Sequence, residues 1–445
     1  MPASVKPHSI TIHCYNVGFG DCFLVTFHYK TSTNDERDRH VLIDFGSTSA
    51  PEAFAKDKNL MVKIAQDIAH KCGGKKLDAV VATHRHKDHI SGFATAKNGK
   101  SSGDVIRALN PDVVIQPWTE DPDAEPDALV PVNAPGKAVQ NFVGALRNMH
   151  SVAQTAFDIG MSGTRGYSKA LKNQLSFLGG NNLANRSAIE NLMTIGKKRM
   201  YVHFGSKTGL EKVLPGVTTQ VLGPPTLRQT ETIRRQASRN KDEFWHFSQF
   251  WGFQALAAGR PSTAKVLFPR AETKSIRSAP PEIRWFLDHA RSVRGELLLG
   301  IVRALDKAMN NTSVVVLFET GSKRLLFPGD AQLENWSFAL QRLKDEGKLK
   351  SLEEVDLYKV GHHGSLNATP KSLWRMLKKR GPVSKKNRLQ SIMSTKPGKH
   401  GSVASGTEVP RKKLVDALES DSTHFSTHTM KKKDGLAHTV TLRLS

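Results

Sequence analysis

Three histidines and one aspartate lie within six positions of one another, at His84, His86, Asp88 and His89. The largely apolar segment Leu77–Ala82 precedes them directly and predicts a buried strand. Imidazole nitrogen and carboxylate oxygen are the donors that zinc and its neighbours prefer. Ligands in layered α/β proteins bind at the carboxyl ends of strands, so the pattern predicts a metal site there. A set of solvated surface histidines is the alternative.

Strand and helix patterns alternate at both ends of the chain. The elements expected are a hairpin over Ile10–Phe27 turning at Gly18–Asp21, strand Val41–Phe45, a helix carrying Leu60, Ile64 and Ile68, strands Gln220–Leu222, Val314–Phe318, Arg324–Phe327, Val355–Val360, Ser391–Ser394 and Thr439–Leu444, and helices over Glu334–Glu346 and after Pro410. Ser187 and Glu190 predict a capping box. This order predicts an αββα sandwich, two sheets covered by helices, with the site on loops at strand ends.

The chain is expected to form one elaborated domain, 1–445, with insertions at 97–200 and 228–308. The second insertion carries bunched aromatic and basic residues: Phe244, Trp245, Phe247, Phe250, Trp251, Phe253, Arg234, Arg235 and Arg239. These residues suggest either a platform that stacks the bases of a single strand or a small aromatic core beneath a basic helix.

Lysine and arginine number 65 against 41 acidic residues, a formal net charge of +24. Such an excess suggests a polyanionic partner such as nucleic acid, although a solvated basic surface is the simpler reading. The three cysteines, Cys14, Cys22 and Cys72, predict a reducing compartment and no disulfide framework. No apolar run is long enough for a membrane span. We therefore expect a cytoplasmic protein.

Several short motifs occur in an order that narrows the set of known families that the chain resembles. They are Val17–Asp21, Leu42–Gly46, His84–His89, Val221–Pro225, Asn311–Ser313, Phe327–Asp330 and Lys359–Ser365. The His84-x-His86-x-Asp88-His89 pattern resembles the signature of metallo-β-lactamase-fold hydrolases. The whole set is similar to the hydrolase domain of ComEC-type DNA-uptake proteins. The resemblance covers both ends of the chain, leaves the two insertions unmatched and does not extend to the membrane channel of those proteins.

The resemblance implies a metal-dependent hydrolase with one or two zinc ions, or manganese. His84 and His86 would bind the first ion and Asp88 and His89 the second, while Asp330 would bridge them. One of His362 and His363 would complete the second site. Without the family, Asp330 could equally be a turn former. Enzymes with two full sites usually have another histidine between the first cluster and the bridging aspartate, and His203 and His246 lie in no matching motif. Either one tight and one weak site or two sites with an unconventional ligand would follow.

Supporting roles are expected for further residues near the motifs. Asp44 would orient a ligand imidazole, and Asp21 would do the same or hold a turn. Asp88 would orient the attacking hydroxide, and His362 or His363 would protonate the leaving group. Only one of these two histidines should point into the site if the segment is extended.

Substrate contacts are expected from the same loops. The backbone amides of Gly364 and Ser365, with the Ser365 hydroxyl, would receive a phosphate oxygen. Lys359, Lys87 and Arg85 would contact an anionic substrate, or would simply be solvated.

Three functions follow from these features. The first is a phosphodiesterase that hydrolyses nucleic acid or a nucleotide, because it joins the hydrolytic motifs to the positive charge. The second is a hydrolase of a small ester, lactone or thioester, which leaves the charge unexplained. The third is a non-catalytic nucleic-acid-binding module, for which the full set of ligand motifs would be unnecessary.

Overall fold

The computed structural model describes residues 5–30, 37–74, 76–121, 153–162, 167–182, 185–226, 228–229, 309–401 and 408–444, with positions 295, 296, 298–300, 302 and 306. The chain divides into two compact units. The larger contains Met1–Gly144, Ala184–Thr230 and Met309–Ser445, and the smaller contains Ala145–Leu183 and Glu231–Ala308. The larger unit holds every motif residue from His84 to His363.

The strands form two sheets. Their bounds are β1 Ser9–Tyr15, β2 Cys22–His28, β3 Arg39–Phe45, β4 Ala79–Val81, β5 Val113–Pro117, β6 Lys198–Val202, β7 Thr218–Gly223, β8 Val315–Thr320, β9 Lys323–Phe327, β10 Leu357–Lys359, β11 Gln390–Met393, β12 Thr423–Ser426 and β13 Ala437–Arg443. The seven-stranded sheet has the order β13-β1-β2-β3-β4-β5-β6, and the six-stranded sheet has the order β12-β11-β10-β9-β8-β7.

The helices alternate with the strands along the chain. Their bounds are α1 Leu60–Lys71, α2 Lys87–Ile90, α3 Ser102–Ala108, α4 Lys169–Asn182, α5 Arg186–Thr194, α6 Leu333–Asp345, α7 Lys350–Glu353, α8 Lys371–Met376 and α9 Lys412–Asp421. In α1, apolar residues recur at helical spacing, and Leu60, Ile64 and Ile68 are buried.

Three buried clusters stack the sheets and helices in layers. The first joins the inner faces of the two sheets, where Phe23 and Phe327 pack with ring centroids 5.8 Å apart. The second lies between the outer face of the seven-stranded sheet and α1, α3 and α5. The third lies between the six-stranded sheet and α6, α8 and α9. The larger unit is therefore a mixed α/β sandwich of two sheets and flanking helices, consistent with a metallo-β-lactamase-type fold.

Parallel pairing brings the important loops to one end of the sandwich. β3, β4, β5 and β6 are parallel, and so are β9, β10, β11 and β12. Val314 donates its backbone N–H to Thr83 O at 2.8 Å, which joins the two sheets at this end. We call it the metal end, because the segments after β4, β9 and β10 all emerge there.

Some elements differ from the sequence-based expectation. β5 lies inside the segment 97–200 and β6 begins at its end, yet both pair in the seven-stranded sheet. Helix α5 is capped by Asn185, whose side chain accepts from Ala188 N, so the expected Ser187 capping box is wrong. Asn185, two residues before Ser187, is the N-cap because its side-chain Oδ1 reaches the N3 amide. The aromatic and basic cluster at 234–253 lies outside the described residues.

Candidate metal centre

Four buried side chains from three loops meet at the metal end. Asp88 and His89 lie on the short helix α2, Asp330 follows β9, and His363 lies in the turn after β10. One ligand atom from each lies within 4.8 Å of the others. His363 Nε2 is 3.0 Å from Asp88 Oδ2, and His89 Nε2 is 3.2 Å from Asp330 Oδ2. We call Asp88, His89, Asp330 and His363 the four-residue group.

His84 and His86 form a pair beside this group. His84 Nε2 lies 2.8 Å from His86 Nδ1, and the rings of His84 and His89 have centroids 4.2 Å apart. Burial, followed by the neighbouring His89 and His86, holds the pKa of His84 well below its ordinary value. A neutral His84 keeps a lone pair that can bind a cation. The two motif histidines therefore supply a separate two-nitrogen position, not part of the four-residue group.

Asp44 fixes the orientation of His89. The backbone of Asp44, near the end of β3, has an unusual positive φ of 53°. Asp44 Oδ1 accepts from Thr83 N at 2.7 Å, and Oδ2 lies 2.8 Å from both Thr83 Oγ1 and His89 Nδ1. Because His89 Nδ1 donates to this carboxylate, Nε2 is the nitrogen that faces Asp330 and that can bind a cation once it has lost its proton.

The turn after β10 places its two histidines differently. His362 and His363 both have positive φ, 45° and 51°, so the backbone is not extended and the alternation expected for a strand does not apply. His363 is buried and donates Nδ1–H to Ser394 O at 2.9 Å, which directs Nε2 at Asp88. His362 Nε2 lies 3.8 Å from Asp330 Oδ2, and its side chain is 15% exposed. Both imidazoles thus lie near Asp330 or Asp88, with His362 on the solvent side.

One carboxylate oxygen of Asp330 is held by the protein backbone, and the other faces the histidines of the site. Its backbone N–H donates to Ser313 Oγ at 3.2 Å, and its Oδ1 accepts from His362 N at 3.0 Å. Gly329 must precede it, because φ is 54° and a Cβ would come within 2.8 Å of Thr83 Cβ. Oδ2 is left facing His89 and His362.

Asp21 and Lys359 lie behind the four-residue group. Both are buried, and Lys359 Nζ forms an ion pair with Asp21 Oδ2. Asp21 Oδ1 lies 3.7 Å from His363 Nδ1. Burial alone would lower the pKa of Lys359, but Asp21 and Asp330 raise it above its ordinary value. Lys359 therefore does not lie on a surface open to substrate, contrary to the expectation from its place beside the motif.

The backbone amides expected to receive a phosphate oxygen are used inside the turn. Gly364 N donates to Gly361 O at 3.1 Å, and Ser365 N donates to His362 O at 2.9 Å. Gly364 is buried against Pro410. These hydrogen bonds close the turn that carries His363, so of this pair the partly exposed Ser365 side chain is the group placed to meet a ligand.

The buried charges at this end favour a bound cation. Four buried carboxylates lie at this end, Asp21, Asp44, Asp88 and Asp330, together with the buried ammonium of Lys359. Burial would raise the pKa of Asp330, but His89, His362 and Lys359 hold it well below its ordinary value. Among the described residues, Asp88 Oδ1 is buried and accepts no hydrogen bond. Buried carboxylates are costly unless they are paired, and two oxygens with two imidazole nitrogens form a donor set suited to zinc or manganese.

Sequence reasoning gave no role to two residues at the edge of the site. Burial raises the pKa of Glu120 to about 7, although Arg85 in the motif loop opposes the shift. His400 packs its ring 6.1 Å from that of His362. Neither residue lies in a recognisable motif, and both reach the site through loops that follow β5 and β11. Only the position after a strand could have indicated them.

One family model of known proteins matches part of the chain. Residues 15–119 match the family model described as the metallo-beta-lactamase superfamily. This segment contains Asp21, Asp44 and the cluster from His84 to His89, but it ends before Asp330 and His363. Members of the superfamily bind metal ions, so the match indicates a metal-dependent hydrolase. No curated protein matches the chain. In the described part of the chain, no helix is long and apolar enough to cross a membrane.

Proposed function

We propose that the chain is a metal-dependent phosphodiesterase that acts on nucleic acid, because this function joins the hydrolytic motifs to the positive charge. The observation that carries this proposal is the four-residue group at an end of the sandwich rich in exposed lysines. The proposed cofactor is zinc or manganese, with one ion at the four-residue group and a weaker position at His84 and His86. A bound divalent ion would lower the pKa of water towards ~7 and polarise a phosphoryl oxygen.

The side chains of the site have separate tasks in this reaction. Asp88, His89, Asp330 and His363 would hold the cation, while Asp44 accepts from His89 Nδ1 and so leaves Nε2 for it. Asp88 Oδ1, which accepts no hydrogen bond from the described residues, would accept a proton from the attacking water. His362 is the partly exposed imidazole next to Asp330, so a proton on its Nε2 would pass to the leaving oxygen. His363 is buried among the cation-binding groups and is less suited to that task.

The distribution of charge supports a polyanionic substrate. Many basic residues at the end opposite the metal end are paired with acids: Arg37 and Arg39 with Asp78, Lys76 and Lys197 with Asp112, Lys323 and Lys379 with Asp356, and Arg380 with Asp421. Within the described ranges, exposed lysines that form no ion pair occur at that end too, among them Lys212, Lys378 and Lys386. The metal end carries a comparable set. Exposed lysines that form no ion pair within the described ranges lie on its loops and helix starts: Lys56, Lys58, Lys87, Lys97, Lys100, Lys207, Lys399, Lys412, Lys413, Lys431, Lys432 and Lys433.

The exposed lysines of the metal end help to distinguish the proposed phosphodiesterase from a small-ester hydrolase and from a non-catalytic binding module. A phosphate backbone led to the metal centre would neutralise them, whereas a small ester would not need them. A non-catalytic binding module would use the lysines but would have no use for four buried carboxylates with two buried imidazoles. The exposed lysines on the same end as these buried groups therefore favour a phosphodiester in nucleic acid.

A comparison of substrates tests the proposal. Protein loaded with manganese or zinc would be assayed on a labelled single-stranded oligonucleotide, on a chromogenic phosphodiester and on a chromogenic carboxylic ester, with and without chelator. We expect chelator-sensitive hydrolysis of both phosphodiesters, with the oligonucleotide favoured at low salt. Hydrolysis of the carboxylic ester alone would support the small-ester alternative, and oligonucleotide binding without hydrolysis would support the non-catalytic one.

A further inference from the structure

The ammonium of Lys359 lies directly behind the metal centre. Lys359 is the last residue of β10, and its side chain is 2% exposed. Its Nζ forms the ion pair with Asp21, donates to Gly329 O at 3.2 Å and lies 3.7 Å from Asp330 Oδ1. An apolar side chain at this position would avoid the cost of burying an ion pair. The lysine therefore needs an explanation other than solvation or simple packing.

Lys359 acts on the oxygen of Asp330 that does not face the four-residue group. Asp330 Oδ1 receives the His362 backbone N–H at 3.0 Å and faces the ammonium. Asp330 Oδ2 faces His89 Nε2 at 3.2 Å. The hydrogen bond to Gly329 O holds the residue immediately before Asp330. The contacts of Oδ1 with the His362 backbone N–H and with the Lys359 ammonium thus fix which oxygen of Asp330 points to the cation position.

The same ammonium connects the ligand loops of the two sheets. Its partner Asp21 donates its backbone N–H to Asp88 O at 3.0 Å and accepts from Gly46 N at 3.0 Å. Asp21 therefore lies against the helix that carries Asp88, while Gly329 and Asp330 belong to the loop after β9. Lys359 joins these two loops through its ion pair with Asp21 on one side and its contacts with Gly329 O and Asp330 Oδ1 on the other loop.

We propose that Lys359 is a positioning residue of the metal centre: it holds Asp330 Oδ1, so that Asp330 binds the cation through Oδ2 alone, and ties this loop to the loop of Asp88. The inference rests on the metal-dependent activity proposed above. Its test measures metal binding and not hydrolysis. The result would therefore stand even if the chain were not a phosphodiesterase.

The first test removes both charges of the pair. In the Asp21→Asn/Lys359→Met variant the net charge of the buried region is unchanged, so a change in metal binding reports on position and not on total charge. Mn²⁺ affinity would be measured by electron paramagnetic resonance, and folding by circular dichroism. The matched control is Lys323→Met/Asp356→Asn, which removes an ion pair at the opposite end of the same sheet.

We expect the folded Asp21→Asn/Lys359→Met variant to bind Mn²⁺ about 10- to 100-fold more weakly, as is typical when support of a metal ligand is lost. The control should bind as the unaltered protein does. A folded variant with affinity within about twofold of the control would overturn the proposal, because the pair would then serve stability alone.

The second measurement does not depend on a variant that folds. In a crystal structure of the unaltered protein loaded with Mn²⁺, Asp330 should bind the ion through Oδ2, with Oδ1 still facing Lys359 Nζ and His362 N. Binding of the ion through both oxygens of Asp330, or a Lys359 ammonium directed away from Asp330, would overturn the proposal.

Discussion

Asp330 is the side chain on which the metal centre depends most. It faces His89 across the cation position, and its other oxygen is held by the His362 backbone N–H. It lies in a loop after β9 and contributes no apolar surface to the core. Its removal should therefore affect cation binding far more than folding.

The Asp330→Asn variant tests this separation. The amide can still accept from His362 N, but it removes the negative charge that faces His89, so metal affinity should fall by about 100-fold or more while the far-UV circular dichroism is preserved. Metal content of the purified variant would be compared with that of Asp434→Asn, an exposed carboxylate on the same end. An unfolded Asp330→Asn protein would indicate a structural turn, and an undiminished metal content would remove Asp330 from the ligand set.

Protons should compete with the cation for the same nitrogens. Burial would lower the pKa of His89, but Asp330, Asp44 and Asp88 raise it well above its ordinary value, and Asp88 and Asp21 raise that of His363 against burial. These shifts favour the protonated imidazoles in the metal-free site, and metal binding must displace the protons. Metal affinity should weaken steadily as pH falls, with proton release detected by an indicator dye in weak buffer. Affinity independent of pH between about 6 and 8 would contradict this assignment.

The elements around the site depend on close backbone packing between β3 and α2. A Cβ at Gly46 would lie 2.5 Å from Asp88 C and from His89 N. These atoms belong to the backbone and cannot move without shifting the helix that carries two members of the four-residue group. Glycine at position 46 thus sets how far α2 stands from the strand.

Gly46→Ala should displace α2 and weaken metal binding by at least about tenfold, an effect comparable to losing a supporting contact. The control is Gly99→Ala, where φ is +65° but no atom lies within 4 Å of the added Cβ. That variant should lose about 1 kcal/mol of stability from backbone strain and keep its metal affinity. Thermal unfolding and metal titration would be measured on both. Equal metal affinity in the two variants would contradict the role assigned to Gly46.

The sequence predicted most elements with a strong hydrophobic pattern, although it missed the buried apolar strand β5, and it missed two strands with little such pattern. β1 and α1 have clear alternation and helical spacing, and the structure confirms a strand and a helix there. β6, Lys198–Val202, is an edge strand with two exposed basic residues, and β12, Thr423–Ser426, has only four residues. Neither carries enough apolar pattern to be recognised, because their pairing depends on neighbours that are distant in sequence.

The candidate site could be predicted as a set of residues but not as a geometry. The spacing from His84 to His89 indicated metal binding by itself. The separation of His84 and His86 from the four-residue group depends on loops after β9 and β10, more than 200 positions later. The burial of Lys359 against Asp21 depends equally on long-range packing, and the positive φ of His362 and His363 could not be inferred from an apparently extended segment.

At the scale of the whole molecule, the net charge of +24 is spread over both ends of the sandwich. Exposed lysines that form no ion pair within the described ranges lie at both ends, but those of the metal end lie on the same side as the loops that carry the four-residue group. Oligonucleotide binding should therefore depend on lysines at the metal end and on ionic strength.

A pair of triple variants tests this dependence. Lys431, Lys432 and Lys433 would be replaced by alanine at the metal end, and Lys212, Lys378 and Lys386 at the opposite end; all six are exposed. With a labelled single strand and metal-free protein, the first variant should reduce the slope of log affinity against log salt by up to about 2, since each phosphate contact contributes about 0.7. The second should leave the slope unchanged. Equal losses from the two ends would point to a diffuse basic surface.

The central claim, that a cation held by Asp88, His89, Asp330 and His363 drives phosphodiester hydrolysis, is tested most directly by restoring metal to depleted protein. Hydrolysis of a labelled oligonucleotide would be followed while Zn²⁺ or Mn²⁺ is added back to the unaltered protein and to Asp330→Asn. We predict that hydrolysis is absent without metal, returns as bound metal approaches one ion per chain, and fails to return in the variant. Hydrolysis that persists in the depleted protein, or that Asp330→Asn recovers in full, would contradict the claim.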